Sequence, residues 1–293
     1  MEFLWCVKSS SAESCVYARE YSVVKLFRPF GWEQFIGEKN PLLSWVGQLV
    51  GEPHFGTKVR SYYMAKAVRA FCPSRVERIL DAGCGKGQTT FWLNRNFPKA
   101  QIDSIDINPA LIQHCRNVAK NIRAENISFA VQNLCSFREE KKYDLIVCCD
   151  VLEHVENWKD IVRNLSNALR PGGLLLMHVP HAGRFQDLNF GLRKYLKETI
   201  PDENGKEVGA AHVHEGLKKE DFEILKNSGV DYSVFYTFGF MTMWAHTLFE
   251  IYRGFPRYWH LILTPLLSII PHIEKGKLKD GGGLLIKLIK ASS

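Results

Sequence analysis

The chain of 293 residues has eight cysteines, yet positions 6, 15, 72, 84, 115, 135, 148 and 149 contain no C-x-x-C pair and no framework spacing. A disulfide-stapled scaffold is therefore excluded, and a reducing, cytoplasmic setting is expected. No apolar run reaches the roughly 20 residues that span a bilayer. The opening Met1-Glu2-Phe3-Leu4-Trp5-Cys6-Val7-Lys8 lacks a basic n-region, and its apolar stretch is too short for a secretory signal. Internal repeats and low-complexity tracts are missing. So is any basic stripe with interleaved aromatics that would mark a nucleic-acid module, and nucleic acid is not an expected partner.

What is present is 46% hydrophobic residues, enough for one sizeable core with appended segments. The net charge of +7 is uneven: residues 1–75 carry +4, 76–250 carry −2 and 251–293 carry +5. In the last segment a greasy stretch, 258–270, precedes Lys275, Lys277 and Lys279. It reads as a helix pair broken at Pro265 and packed on the domain's own sheet. The competing reading is a peripheral contact with a membrane interface.

The most informative block is Arg78-Ile79-Leu80-Asp81-Ala82-Gly83-Cys84-Gly85-Lys86-Gly87-Gln88. Val76, Ile79 and Leu80 suit a strand covered on both faces, and the glycines let a ligand approach the main chain. Thr89 to Leu93 continue as a helix whose first N–H groups face that turn. The dinucleotide fingerprint G-x-G-x-x-G/A fails, because its third position falls on Gln88. A phosphate loop fails too, since Gly87, not Ser or Thr, directly follows the Gly85-Lys86 pair. What fits is D-x-G-x-G-x-G, at Asp81, Gly83, Gly85 and Gly87, with Ile105-Asp106-Ile107 after the next strand. An acidic residue about 20 positions beyond such a turn is where a ribose diol is held. A helix cap before Asn108-Pro109 is the plainer role for Asp106.

Two further blocks follow at family spacing, Tyr143-Asp144-Leu145-Ile146-Val147-Cys148-Cys149-Asp150-Val151-Leu152-Glu153-His154-Val155 and Leu169-Arg170-Pro171-Gly172-Gly173-Leu174-Leu175-Leu176. With them the sequence resembles the class I S-adenosylmethionine (SAM)-dependent methyltransferases, in the branch of quinone-biosynthesis and other small-molecule enzymes. The resemblance is close over residues 76–180. It implies an α/β fold, a Rossmann-like, seven-stranded, mostly parallel sheet with helices on both faces. Strands are expected at 77–82, 101–107, 127–131, 143–149, 173–179, 231–238 and 284–289, with the last one antiparallel. An N-terminal helical cap (1–75) precedes the methyltransferase domain (76–293), which holds a lid segment (183–216) and a helical insert (239–282).

The resemblance also implies a SAM site made by Asp81, Gly83, Cys84, Gly85 and Gln88 after the first strand and by Asp106 and Ile107 after the second. Asn133 and Leu134 follow the third strand, and Cys149 and Asp150 the fourth. Asp106 would hold the ribose. Asn133 stands where the family commonly has an acidic residue beside the adenine, and its side-chain oxygen still offers an acceptor. Leu152 is expected only to pack.

Methyl transfer needs alignment and exclusion of water, with a proton acceptor where the nucleophile carries a proton. His181, after the fifth strand, is the first candidate and His154 the second, while His178 reads as a hydrogen-bonded core histidine. His212 and His214, with Tyr62, are candidates for a lid or substrate contact. The spacing of His212 and His214 would suit a metal, but no ligand triad accompanies them, so no metal is expected. The segments outside the motifs are rich in aromatics, which suggests an apolar or lipid-like small-molecule acceptor methylated at O, N or C. The alternative is a SAM-binding protein without chemistry, acting as an adaptor at a membrane surface.

Overall fold

The computed structural model describes residues 30–291 apart from 37, 53, 72–75, 183–198, 202–206, 210–212, 215, 228–229, 252–263, 265 and 275–277. Two short helices open it, α1 (Pro41–Val50) and α2 (Phe55–Phe71), after a single 3₁₀ turn at Trp32–Phe35. The alternating unit follows: β1 (Arg78–Ala82), α3 (Gln88–Asn96), β2 (Gln101–Asp106), α4 (Pro109–Ile122), β3 (Ile127–Val131), β4 (Tyr143–Cys149), α5 (Trp158–Ala168) and β5 (Leu169–Pro180). A small hairpin, β6 (Thr199–Pro201) with β7 (Glu207–Gly209), stands apart from the main sheet. The chain returns with β8 (Val230–Thr237), α6 (Phe240–Ile251), a one-turn α7 (Ile270–Ile273) and β9 (Gly283–Lys290).

The main sheet has seven strands in the order β3-β2-β1-β4-β5-β9-β8. β1 to β5 pair in parallel, whereas β9 runs antiparallel to both β5 and β8. The strand alternation fills both faces, as doubly covered parallel sheets require. Leu80, Ala82, Ile146 and Cys148 join one buried cluster with α5, and Ile79, Leu145 and Val147 join another with Met64 and Val68 of α2.

Local chemistry sets the element ends. Asn40 and Asn108 cap α1 and α4, each side chain accepting two backbone N–H groups, with proline at the next position. Thus Asn108, not Asp106, is the helix cap. The Arg170-Pro171-Gly172-Gly173 run lies inside β5, which is 12 residues long and starts earlier than 173 because the pairing with β4 slips at a bulge between Tyr143 and Leu145. A Cβ on Gly173 would meet three backbone oxygens at 2.9–3.2 Å, so only glycine lets the strands close there. Asp144 ties that bulge to β1: it accepts the N–H groups of Glu77 and Arg78 at 2.8 Å and pairs with Arg170 at 3.0 Å. These motif residues serve the end of the sheet opposite the glycine turn.

The apolar stretch before Lys275 falls largely outside the described residues. Of its described part, Leu267 and Ile270 pack on Phe55, Val59 and Phe249, while Leu266 and Ile269 are exposed. The lid segment is described only at the β6–β7 hairpin, at 213–214 and at 216. Among the described residues no helix is long and apolar enough to cross a membrane.

Candidate active site

A cavity of about 600 Å³ opens beyond the carboxyl ends of β1, β2 and β4. That is where ligands gather in open parallel sheets. The motif side supplies one wall. Asp81, Gly83, Cys84, Gly85 and Gln88 line it from the first turn, Asp106 and Ile107 from the second, Asn133 and Leu134 from the third, and Cys149 and Asp150 from the fourth. His154 lines it as well.

The glycine turn is shaped by contacts on either side of an open centre. Gly83 has φ +79°, and a Cβ there would come within 2.3 Å of Val151. Gly85 has φ +53°, yet its missing Cβ would meet nothing within 4 Å, so the turn presents bare backbone to the cavity. Asp106 braces this cradle, accepting the N–H of Gly85 at 2.8 Å and that of Asn108 at 2.9 Å. Ile107 beside it is 66% exposed while lining the cavity, and gives it an apolar patch.

Asp81 is buried and accepts the hydroxyl of Thr90 at 2.6 Å, and Ser104 donates in turn to Thr90 at 3.1 Å. Burial pushes its carboxyl up to about 7, with the Asp106 charge adding to the rise and the Thr90 hydrogen bonds opposing it. Asp150, at φ +52°, behaves oppositely. Burial would raise it, but the Arg60 guanidinium, His178 at 2.9 Å and the nearby His154 together hold it below the usual carboxylate range. Burial raises the Cys149 thiol well above its ordinary value, which makes it packing rather than a nucleophile. Asn133 has its Oδ1 engaged by the Cys135 N–H at 2.9 Å, leaving one lone pair for a ligand.

The second wall comes from residues outside the motifs. Thr57, Arg60, Ser61, Met64 and Val68 project from one face of α2, with Phe30 and Trp92 nearby. Their spacing is helical, and that period is the signal the sequence offers for them. The N-terminal segment is clamped onto the glycine turn by Gln34 donating to the Lys86 carbonyl at 2.7 Å and by Gln88 donating to Glu52 at 2.9 Å. Arg95 pairs with the buried Glu33 at 2.9 Å.

The histidines divide. His178 is buried between Asp150 and the Thr237 hydroxyl at 3.0 Å, a bonded core histidine. His181 does not line the cavity. It is nearly buried at the end of β5, with Nδ1 donating to the Gly281 carbonyl at 2.8 Å and its ring against Tyr236. Leu152 is buried. The N–H groups of Val213 and His214 bond to the Glu153 carbonyl at 3.1 and 3.0 Å, which brings His214 beside the turn that carries His154. Tyr62 points away from the cavity and packs on His272, ring centroids 4.3 Å apart. His212 lies outside the described residues.

Sheet order, antiparallel last strand and a cavity over the first glycine turn together define the Rossmann-like methyltransferase class of fold. The methyltransferase domain family matches residues 80–175. A malonyl-[acyl-carrier protein] O-methyltransferase of Ilyobacter polytropus is 35% identical over 128 residues, covering 43% of this chain and 47% of the relative. A ubiquinone biosynthesis O-methyltransferase of Coxiella burnetii is 27% identical over 58% of this chain and 62% of its own length. The chain thus spans between about half and two thirds of the length of these relatives. A SAM-dependent methyltransferase structure from Clostridium acetobutylicum shares the fold, with TM-score 0.52, 15% identity and coverage of 80% and 92%. Residues 80–175 of this chain thus carry the methyltransferase-domain match, within a Rossmann-like sheet.

Proposed function

We propose that this chain is a SAM-dependent methyltransferase acting on a small, apolar or lipid-like acceptor. The observation that carries the reading is that all eleven motif residues named for the cofactor line one cavity, around a turn whose central glycine is open. Bound SAM would supply a methyl group already activated on a sulfonium. Asp106 would turn from bracing the turn to accepting the two ribose hydroxyls, a charge-assisted pair. Ile107 would cover the adenine, and Asn133 would offer its remaining lone pair to the exocyclic amine. The glycine turn and the N-terminus of α3 would receive the amino-acid carboxylate.

The acceptor would lie under α2. Thr57 and Ser61 give it polar contacts while Met64, Phe30 and Trp92 give an apolar surround that excludes water. His154, which lines the cavity, would take a proton from an acceptor hydroxyl or amine; His181, bonded to the Gly281 carbonyl away from the cavity, would keep the β5 end in place. Residues 1–75 then act as a cap on a domain spanning 76–293, with 183–216 as lid and 239–282 as insert. The two relatives named as O-methyltransferases favour oxygen as the methylated atom.

The test is transfer of labelled methyl from SAM into a host-cell extract, followed by partition between organic and aqueous phases. Label in an organic-phase product supports the reading. SAM binding without transfer to any fraction would favour the non-catalytic adaptor, and label confined to macromolecules would overturn the small-acceptor assignment.

A further inference from the structure

Helix α6 is apolar on both sides. Its inner side places Met243, Ala245 and Phe249 against Phe55 and Val59 of α2. Its outer side presents Phe240, Trp244 and Leu248, and the neighbouring turn and α7 present Leu266, Ile269 and Ile273; these six are 45–62% exposed. A helix in water normally keeps one polar side, and one that is apolar all round is covered by something. The two elements form one unit, because Glu274, following α7, accepts the N–H of Met241 at 2.9 Å and the hydroxyl of Thr242 at 2.5 Å.

The charge of the sequence that joins and flanks these two helices points to what covers them. Residues 252–282 contain five Lys and Arg against two acids, Glu274 and Asp280. Both acids are engaged locally: Glu274 with the start of α6, and Asp280 with the N–H of Gly281 at 2.8 Å and, at 3.5 Å, with His181. The sequence flanking α6 and α7 is therefore net basic, and its Lys279 is exposed. The Trp244 and Phe240 rings meet edge-on at 6.2 Å at the surface. Apolar face, surface aromatics and a basic flank together match an interfacial element on an anionic bilayer.

We propose that the outer face of α6 and α7 docks this protein on an anionic membrane surface, with no segment crossing it. Since α2 packs on α6 with one face and lines the cavity with the other, the docked cavity would lie about two helix diameters, roughly 20 Å, from the lipid. Only this last link rests on the methyltransferase reading; docking itself needs neither SAM nor turnover.

The full chain should sediment with phosphatidylcholine vesicles that contain phosphatidylglycerol and much less with phosphatidylcholine alone, and binding should weaken as salt rises. Trp244→Glu with Ile269→Glu should reduce partition at least about tenfold. Lys279→Glu, which leaves the apolar face intact, should reduce it about fivefold or more. Trp45→Glu, on the separate exposed stripe of α1, should leave it unchanged, and thermal melts check that each variant folds. Absence of partition at low salt overturns the proposal. So does partition indifferent to both the double variant and Lys279→Glu, or a concentration-dependent dimer, abolished by the same substitutions, without vesicle binding.

Discussion

The two walls of the cavity are built on different principles. The sheet wall is largely backbone and short side chains: a glycine turn with positive φ, a carboxylate that braces it, and buried Asp81 and half-buried Asp150 set by their surroundings. The α2 wall is side chains alone, five residues repeating at helical period and swung into place by contacts far away in sequence. A wall made of backbone fixes the ligand part common to every reaction of the class. On the proposed function, the wall made of exchangeable side chains would be where the acceptor is chosen.

Substitutions separate the two walls. The largest effect is expected for Asp106→Ala, which removes two charge-assisted hydrogen bonds and should weaken SAM binding in calorimetry by about 100-fold or more. Unchanged affinity would remove the cofactor from the sheet wall. His154→Ala should lower kcat about 100-fold with SAM affinity unchanged, whereas His181→Ala should change kcat less than about threefold. The reverse ranking in steady-state kinetics would restore the His181 assignment.

Gly83→Ala should cost about 2 kcal/mol in denaturant unfolding, from the positive φ and from the clash with Val151. Adding Val151→Ala should relieve the clash but not the backbone strain. On the other wall, Ser61→Leu should leave SAM affinity within about twofold and raise the acceptor KM roughly tenfold. If SAM affinity falls instead, the division between the walls fails.

The smallest effect concerns pH. The folded pKa of Asp81, about 7, lies above that of an unfolded carboxylate, so the unfolded chain ionises first. Stability contributed by neutral Asp81 is therefore full at acidic pH, falls as pH rises from about 4 to about 7, and is absent above. Asp81→Asn should flatten that part of the melting temperature against pH profile by a few degrees.

Much of the sheet wall is legible in the amino-acid sequence alone. Asp81, Gly83, Gly85 and Asp106 are fixed by chain-local demands: a buried strand, a turn needing positive φ and a carboxylate at a strand end. The same locality makes His178 readable as core. His181 illustrates the limit, since a position after a carboxyl end does not say which way a ring turns; the Gly281 carbonyl, 100 residues away, decides it. Tyr62 fails similarly, because adjacent helical positions face different neighbours, and its neighbour Ser61 faces the cavity instead. The Arg170-Pro171-Gly172-Gly173 run is readable as a family mark, but its bulge and its tie to Asp144 emerge only once β4 and β5 are paired.

The alternation of strands and helices and the glycine turn follow from the order of residues, because period, burial and backbone freedom are properties of short segments, while the seven-stranded sheet with its reversed last strand is what the family resemblance implies. It took the packing of distant segments to close the cavity with α2, to put His154 on its lining while holding His181 off it, and to shift Asp81 and Asp150 in opposite directions. Those outcomes depend on which distant groups meet and on how much water is left between them, and neither is encoded in a local pattern.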